Sequence, residues 1–555
     1  MKLKIWNLGL AILMMSAGAG SVKAADPKTT LRIATSGEFE SLHPLIASSG
    51  AAMYMLFMAW RPNVILSADN KWAPCLIEKI PDMKNKLLKK KGDGLEATFD
   101  IRSEATWGDG TPVTCKDIEL GWKVGKSPNV STPSKEEFEN ITSITWDEKK
   151  PKHCVMTYAK AKYDYFGNIL DPLPAHLEGP IFEKYKDVPE GYDKNSLYTK
   201  APNTPGLWNG PYIISEVKLG SHVTLQPNPK FSGKKPYFQQ IIFKLIPNGN
   251  TISARMQAGD VDMYIPNSGM DVPQAVSFEK TIKSDKLPFQ VVYTLGSLYS
   301  HIDVNLDHPI LKDLAVRQAL SYSFNKKEMV DSFLEGKGLP ADTFITPNDP
   351  WYTKKLTTYP YNRRKAIQIL EDAGWKLGAN GIRVKNGVPL SFTIVAGAGS
   401  KLIDSVEAYL QAQFKAVGVE LKIKNEPLRV LFGDTIKYRK FDMAFFAWSS
   451  VPDNSPRTTL HSSMIPNEAN SWGGQNDTGY KNSEVDKLID KLEQEFDAKK
   501  RAEYGRQIAE HYAKDIPVIP IYYRYTGNVI PTDMKGYKLV GHKYYESLNV
   551  EDWSR

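Results

Sequence analysis

Residues 301–338, HIDVNLDHPILKDLAVRQALSYSFNKKEMVDSFLEGKG, contain the signals on which the prediction of the fold depends. Ile302 and Val304 alternate with polar residues, a period typical of a strand. Asp313 then precedes apolar residues at helical spacing and is predicted to cap a first helix. Asn325 stands in the same position before a second apolar series and is predicted to cap a second helix. The stretch therefore predicts a strand followed by two packed helices.

Three further stretches carry equally clear patterns. Residues 96–124, EATFDIRSEATWGDGTPVTCKDIELGWKV, predict a strand, a turn and a helix capped by Thr114. Residues 390–423 read as strand, helix and strand with short links, which predicts parallel strands joined by a right-handed crossover. Near the C-terminus, Ser483 and Asp486 predict the cap of a helix that continues, at a four-residue step, toward Pro517.

In this order, the motifs resemble those of the family 5 extracellular solute-binding proteins of bacterial ABC transporters. The matching segments include DLAVRQALSYSFNKKEMV, DGTPVT, WNGPYI and FDMAFFAWSS, and together they span nearly the whole chain after the first 24 residues. The resemblance implies an α/β, two-lobed periplasmic binding protein fold with mixed sheets, a hinge and an extra inserted subdomain. It also implies a division into a signal peptide (1–24), lobe I (25–55, 205–290 and 518–555), an inserted subdomain (56–204) and lobe II (291–517).

The N-terminal segment is predicted to be a cleaved signal peptide. Lys2 and Lys4 are followed by a short apolar run and by the cleavage-site sequence Val22-Lys23-Ala24. The run is shorter than the roughly 20 residues needed to span a bilayer, and no cysteine follows it to carry a lipid. We therefore expect a periplasmic protein that begins at Ala25 and has no lipid anchor.

Charge and cysteine content exclude several other classes of protein. Removal of residues 1–24 takes away three lysines and no acid, so the net charge falls from +8 to +5. The densest basic cluster, residues 84–91, has no interleaved aromatic residues and therefore does not indicate nucleic-acid binding. Cys75, Cys115 and Cys154 lack zinc-site spacing, which predicts no metal site. One disulfide is compatible with an oxidising compartment, but the sequence leaves the pairing open.

No motif of a hydrolytic or nucleotide-dependent enzyme is present. The sequence contains no nucleophile elbow, no HExxH motif and no P-loop. The adjacent acids Glu371 and Asp372 point in different directions on a predicted helix and cannot flank one scissile bond. We therefore expect a binding protein, a monomer that needs no cofactor and works with the permease subunits of an ABC transporter.

The resemblance also suggests where a solute binds. Trp448 ends the strand that the family places in the cleft, and Glu38 follows the first strand. The candidate ligand contacts implied by the resemblance are Trp448, Ser449, Ser450, Asp453, Trp208, Asn209, Glu38 and Asn305.

One departure from the family pattern bears on the ligand. Peptide-binding members carry an acid three residues after the cleft tryptophan, where it pairs with the free amine of the peptide, but this chain has Val451 there. Asp453 takes over this role if Pro452 turns it inward. If it does not, we expect little preference for a free amino terminus. A peptide or peptide-like solute is the first expectation; a sugar, metal chelate or opine-like solute, or a chaperone-like role, are the alternatives.

Overall fold

The computed structural model describes residues 27–37, 41–168, 171–449, 451–470 and 472–555. Strands in these ranges form two large sheets and three smaller ones. In chain order the strands are β1 (Thr30–Thr35), β2 (Val64–Leu66), β3 (Trp72–Pro74), β4 (Leu88–Lys91), β5 (Gly94–Asp100), β6 (Ile141–Trp146), β7 (His153–Tyr158), β8 (Tyr212–Lys218), β9 (His222–Pro227), β10 (Gln240–Leu245), β11 (Met263–Tyr264), β12 (Phe289–Val304), β13 (Gly338–Pro340), β14 (Lys376–Leu377), β15 (Arg383–Lys385), β16 (Val388–Pro389), β17 (Ser391–Ala396), β18 (Glu420–Ile423), β19 (Met443–Ser449) and β20 (Val518–Pro531).

Helices cover the sheets and close the ends of the cores. In chain order they are α1 (Gly50–Ala59), α2 (Cys115–Lys126), α3 (Glu136–Glu139), α4 (Ala175–Tyr185), α5 (Gly191–Asn195), α6 (Leu197–Lys200), α7 (Gly249–Gln257), α8 (Val272–Asp285), α9 (Leu314–Tyr322), α10 (Lys326–Phe333), α11 (Arg363–Asp372), α12 (Lys401–Lys415), α13 (Leu428–Val430), α14 (Arg457–Leu460), α15 (Ser483–Gln494) and α16 (Ala498–Asp515). None of the helices in the described ranges combines the length and the apolar character needed to cross a membrane.

The first large sheet has the strand order β11-β1-β10-β9-β8. β1 pairs in parallel with both β10 and β11, while β8, β9 and β10 pair antiparallel. Leu31 and Ile33 of β1 are fully buried, as the alternation in the sequence predicts. Helix α1 packs in the same core through a nearly continuous series of buried residues.

The second large sheet has the order β13-β20-β12-β19-β17-β18. β17 and β18 are parallel neighbours and α12 lies between them in the chain, so the predicted strand-helix-strand unit is confirmed. The opening stretch also folds as predicted. The side chain of Asp313 accepts a hydrogen bond from the Ala315 N–H at the start of α9, and that of Asn325 accepts from the Lys327 N–H at the start of α10.

Two long strands connect the two large cores. β12 and β20 pair antiparallel along nearly their whole length. The register shifts between Leu295 and Tyr299 and again between Ser300 and His301. Phe289 and Val529 at one end belong to the core around α8, whereas Ile302 and Ile519 at the other end belong to the core around α9. The fold is therefore two-lobed and α/β, as predicted. The finer division into domains stays a prediction, with boundaries at 290/291 and 517/518 near the ends of these strands.

A four-stranded antiparallel sheet of order β4-β5-β7-β6 lies within residues 56–204. A disulfide between Cys115 and Cys154 joins the start of α2 to β7, with 5.6 Å between the Cα atoms, and Cys75 is the free cysteine. The pairing that the sequence left open is thus between two residues of the same sheet-and-helix unit.

The helix predicted from Ser483 differs from the observed one in two respects. Asn482, not Ser483, is the cap, because its side chain accepts hydrogen bonds from the N–H groups of Glu484 and Val485. The pattern then divides into α15 and α16, because Asp497 caps a second helix with the N–H groups that follow it. Both helices bury residues at the same spacing, and the sequence therefore predicted one helix where the structure has two.

Candidate functional site

The candidate site is a cavity of about 310 Å³ between residues 162–167, residues 451–458 and the C-terminal segment around Tyr544. The loop 451–458 directly follows β19, the strand predicted to end in the cleft. The cavity is lined by Trp72, Glu136, Asn140, Lys162, Asp164, Phe166, Gly167, Val451, Pro452, Asp453, Asn454, Ser455, Arg457, Thr458, Met464, Glu493, Lys543 and Tyr544.

Tyr163 links the segment 162–167 to the loop 451–458 and to α15. Its hydroxyl donates to the carbonyl oxygen of Asp453 at 2.6 Å, and its backbone N–H donates to the carbonyl oxygen of Glu493 at 2.9 Å. The guanidinium of Arg501 lies over the Tyr163 ring, 4.3 Å from its centroid. The residues on either side of Tyr163 are therefore held at fixed positions beside the loop after β19.

Most of the charged groups in the lining neutralise each other. Lys162 pairs with Glu136 at 2.8 Å, and the Nε atom of Arg457 pairs with Glu493 at 2.8 Å. Glu493 also accepts a hydrogen bond from the hydroxyl of Ser455. These pairs leave the cavity polar, with hydrogen-bonding groups on its walls and little unbalanced charge from these residues.

Aromatic side chains form another part of the lining. Trp72 meets Phe166 edge to face with 5.2 Å between ring centroids, and it meets Tyr544 in the same manner at 5.6 Å. The three rings come from three distant parts of the sequence. Together they offer an apolar surface next to the ion pairs, against which apolar groups of a solute can pack.

Trp448 and Ser449 lie at the end of β19, shortly before the cavity loop in the sequence. The Trp448 ring is half-buried and packs edge to face on Phe446, which in turn packs on the exposed Phe432. The hydroxyl of Ser449 is 3.0 Å from the hydroxyl of Ser297 on the neighbouring strand β12. Trp448 and Phe432 thus pack on either side of a buried phenylalanine within the second lobe.

Asp453 lines the cavity, but its carboxylate is already engaged. Oδ2 accepts from the guanidinium of Arg501 at 2.7 Å, and Oδ1 accepts from the indole N–H of Trp351 at 3.0 Å. The backbone N–H of Asp453 donates to the carboxylate of Asp349 at 3.1 Å, and the residue has a φ of +56°, in the left-handed region. The turn through Pro452 therefore directs this carboxylate toward α16.

The remaining candidates lie apart from the cavity. Trp208 is fully buried and donates its indole N–H to the carbonyl of Pro202, so it presents no surface to a solute in this structure. Asn209 is buried as well, and its side chain binds both the N–H and the carbonyl of Arg61. The amide of Asn305 donates to two backbone carbonyls, those of Arg439 and Phe441, and thereby fixes the loop before β19. All three polar groups are satisfied within the fold.

Glu38 and Ser450, two further candidates, lie outside the described residues, as do the predicted signal peptide and Ala25.

Several residues that line the cavity were not among the candidates predicted from the sequence. The main ones are Trp72, Asp164, Phe166 and Tyr544. The stretch Tyr163-Asp164-Tyr165-Phe166 was a usable signal, because an acid among aromatic residues is unusual for a solvated loop. Nothing in the local pattern predicts that this stretch meets the loop after β19. Among the described residues, no group of three or more His, Cys, Asp or Glu side chains is arranged to hold a metal ion.

Two lobes joined by a pair of long strands, with a lined cavity beside the strand that enters the second lobe, define the class of two-lobed periplasmic binding proteins. The family "Bacterial extracellular solute-binding proteins, family 5 Middle" matches residues 62–469. The chain belongs to this family of ABC-transporter components, as the motifs of the sequence predicted.

The similar proteins of known function bind more than one kind of solute. The oligopeptide-binding protein AppA of Bacillus subtilis is 28% identical over 474 residues, which cover 84% of this chain and 82% of that protein. The structure of NikZ from Campylobacter jejuni in complex with Ni(L-His) has a TM-score of 0.75 and 25% identity, and covers 96% of this chain and 100% of that one. The structure of AppA from Bacillus subtilis with a nonapeptide has a TM-score of 0.72 at 24% identity, and covers 94% and 98% of the two chains.

Proposed function

We propose that this protein is the periplasmic substrate-binding component of an ABC importer that captures a peptide or peptide-like solute between its two lobes. It delivers the solute to membrane permease subunits, works as a monomer without a cofactor, and is exported through a cleaved signal peptide. It neither binds nucleic acid nor catalyses a reaction.

The observation that carries the proposal is the cavity between residues 162–167 and 451–458. Its walls come from segments that are distant in the sequence and meet through the hydrogen bonds of Tyr163. A solute held there touches both walls at once and favours the closed arrangement by the difference between its affinities for the closed and open forms. Hinge bending about connecting strands is the closure mode of periplasmic binding proteins.

A peptide fits the chemistry of the lining. Backbone amides find partners in the amide of Asn454 and the hydroxyl of Thr458, and side chains find the aromatic surface around Trp72. The similarity to the oligopeptide-binding protein AppA of Bacillus subtilis, at 28% identity, supports the same class of solute.

The second candidate solute is a metal chelate, because NikZ of Campylobacter jejuni, at 25% identity, was solved with Ni(L-His). Native mass spectrometry of the protein purified from the periplasm of its own bacterium separates the two. Adducts with peptide masses that fragment into b and y ions support the proposal. Adducts with the isotope pattern of a metal complex, and none of peptide mass, contradict it.

A further inference from the structure

Asp164 is a carboxylate in the cavity wall for which the fold provides no counter-charge in direct contact. Its Oδ1 atom is buried and has no hydrogen-bond partner among the described residues. The other three acids of the lining are each in an ion pair, Glu136 with Lys162, Glu493 with Arg457 and Asp453 with Arg501. Asp164 is therefore the one acid of the lining that is outside these ion pairs.

The position of Asp164 is fixed on both sides. Tyr163, the preceding residue, is bound to the opposite wall through its hydroxyl and its N–H. The carbonyl of Asp164 accepts from the Gly167 N–H at 3.0 Å, which closes the turn that begins the short helix Tyr165–Asn168. An acid held this firmly is preorganised for a partner and does not depend on a mobile loop.

A buried carboxylate oxygen without a hydrogen-bond partner is unfavourable, because it has lost its hydration and gained no contact in return. Two things can relieve this cost, a proton or a cation. Burial raises the pKa of the Asp164 carboxyl above its ordinary value, so the carboxyl binds a proton more readily than an exposed one does. In the presence of a solute, a positively charged group supplies the missing charge and donor hydrogens together.

We propose that Asp164 binds the ammonium group of the solute. The solute class is therefore a peptide or related molecule with a free primary amine. The proposal rests on the proposed function. Phe166 and Trp72 line the same cavity, so the ammonium lies beside aromatic faces that also favour a cation.

This assignment replaces the expectation drawn from Val451. The strand end after Trp448 carries no acid at the position where related proteins have one, and Asp453 is engaged by Arg501. Asp164 lines the same cavity from the opposite side, on the segment 162–167 of the predicted inserted subdomain. A preference for a free amine is therefore expected even though the strand itself has lost the anchor.

The test is a cycle of two changes, measured by calorimetry on a peptide identified in the native mass spectrum. The peptide is used with a free and with an acetylated amino terminus, on the wild-type protein and on Asp164→Asn. Each single change is expected to weaken binding at least tenfold, about 1.4 kcal/mol. The two together are expected to weaken it little more than one alone, because they remove the same contact. Asp187→Asn, an exposed acid with the same change of net charge, is the control and is expected to bind as the wild type does.

The experiment also shows which amine is bound, and it separates a failure of the role of Asp164 from a failure of the proposed function. Replacement of a lysine in the peptide by norleucine distinguishes a side-chain ammonium from the amino terminus, and a tenfold loss in either arm supports the proposal. If the wild type binds the peptide but neither acetylation, norleucine nor Asp164→Asn weakens it, the role of Asp164 is refuted while the proposed function stands. If the wild type binds only metal chelates, both are refuted. If Asp164→Asn does not fold, Asp164→Ser takes its place in the same cycle, because the wild type alone does not show which acid binds the amine.

Discussion

The carboxylate of Asp453 and the guanidinium of Arg501 form a two-point ion pair, with contacts of 2.7 and 3.2 Å. Asp453 is in the loop that lines the cavity, whereas Arg501 is on α16, within the second lobe. The pair ties the loop to the body of the lobe and leaves 16% of the Asp453 side chain exposed. Asp453 thus serves the position of the loop, and the sequence alone could not decide between this role and contact with the solute.

Asp453→Asn is expected to lower the free energy of unfolding by roughly 3 kcal/mol, because it leaves the guanidinium of Arg501 buried without its charged partner. Chemical denaturation measures this directly. Glu503→Gln is the matched control, since Glu503 makes an exposed pair with Arg506 on the same helix and is expected to change stability by less than about 1 kcal/mol. Unchanged stability of Asp453→Asn with a tenfold loss of peptide affinity would show instead that Asp453 contacts the solute.

Trp448→Phe is expected to weaken binding of a peptide solute more than it weakens the fold. The ring is half-buried at the end of β19 and packs on Phe446, so phenylalanine keeps much of the packing but loses surface toward the cleft. Calorimetry and thermal unfolding measure the two effects. Trp351→Phe is the control, because Trp351 is 1% exposed and is expected to lower the melting temperature. The opposite pattern, a lower melting temperature of Trp448→Phe at unchanged affinity, assigns Trp448 to the core.

The elements that the sequence predicted well are those specified by local chemistry. The caps at Asp313 and Asn325 and the crossover between β17 and β18 follow from short-range patterns of polar and apolar residues. The break between α15 and α16 was missed because the apolar spacing continues across it, and Asp497 as a cap looks like any other surface acid. Local signals thus specified the elements better than their boundaries.

The site was harder to predict, because its walls are assembled from distant segments. Val451 and Asp453 could be located from the strand that precedes them, but Asp164 and Phe166 reach the same cavity only through tertiary packing. Trp208 was a plausible contact in the sequence, yet its indole N–H is bonded to Pro202 inside a core. A single sequence does not distinguish a buried aromatic residue from one that lines a cleft.

Loss of the disulfide is expected to lower the free energy of unfolding by roughly 3–4 kcal/mol, because the bond closes a loop between residues 39 positions apart and restricts the unfolded chain. Unfolding of the double variant Cys115→Ala, Cys154→Ala measures the loss, and Cys75→Ala controls for removal of a thiol. Equal stability of the double variant, or three reactive thiols in the oxidised protein after denaturation, would contradict the pairing.

Stability is expected to fall as the pH rises from about 5 to 8. Burial, together with the nearby Asp303, raises the pKa of Asp477 to about 8. Its ordinary value in the unfolded chain is about 3.9, so between these values the folded form holds a proton that the unfolded form lacks. The slope for one such group is at most about 1.4 kcal/mol per pH unit. Asp477→Asn is expected to flatten the pH dependence of the melting temperature, and the exposed Asp187→Asn is not. An unchanged slope in Asp477→Asn contradicts the assignment.

Ligand-dependent thermal unfolding tests whether the two lobes hold a peptide. A ligand that binds only the folded protein stabilises it by roughly 2.7 kcal/mol at 100 times its dissociation constant. At least one member of a peptide library is expected to raise the melting temperature in a saturable manner at one peptide per protein. A library in which no peptide raises it, while a nickel–histidine complex does, would contradict the account.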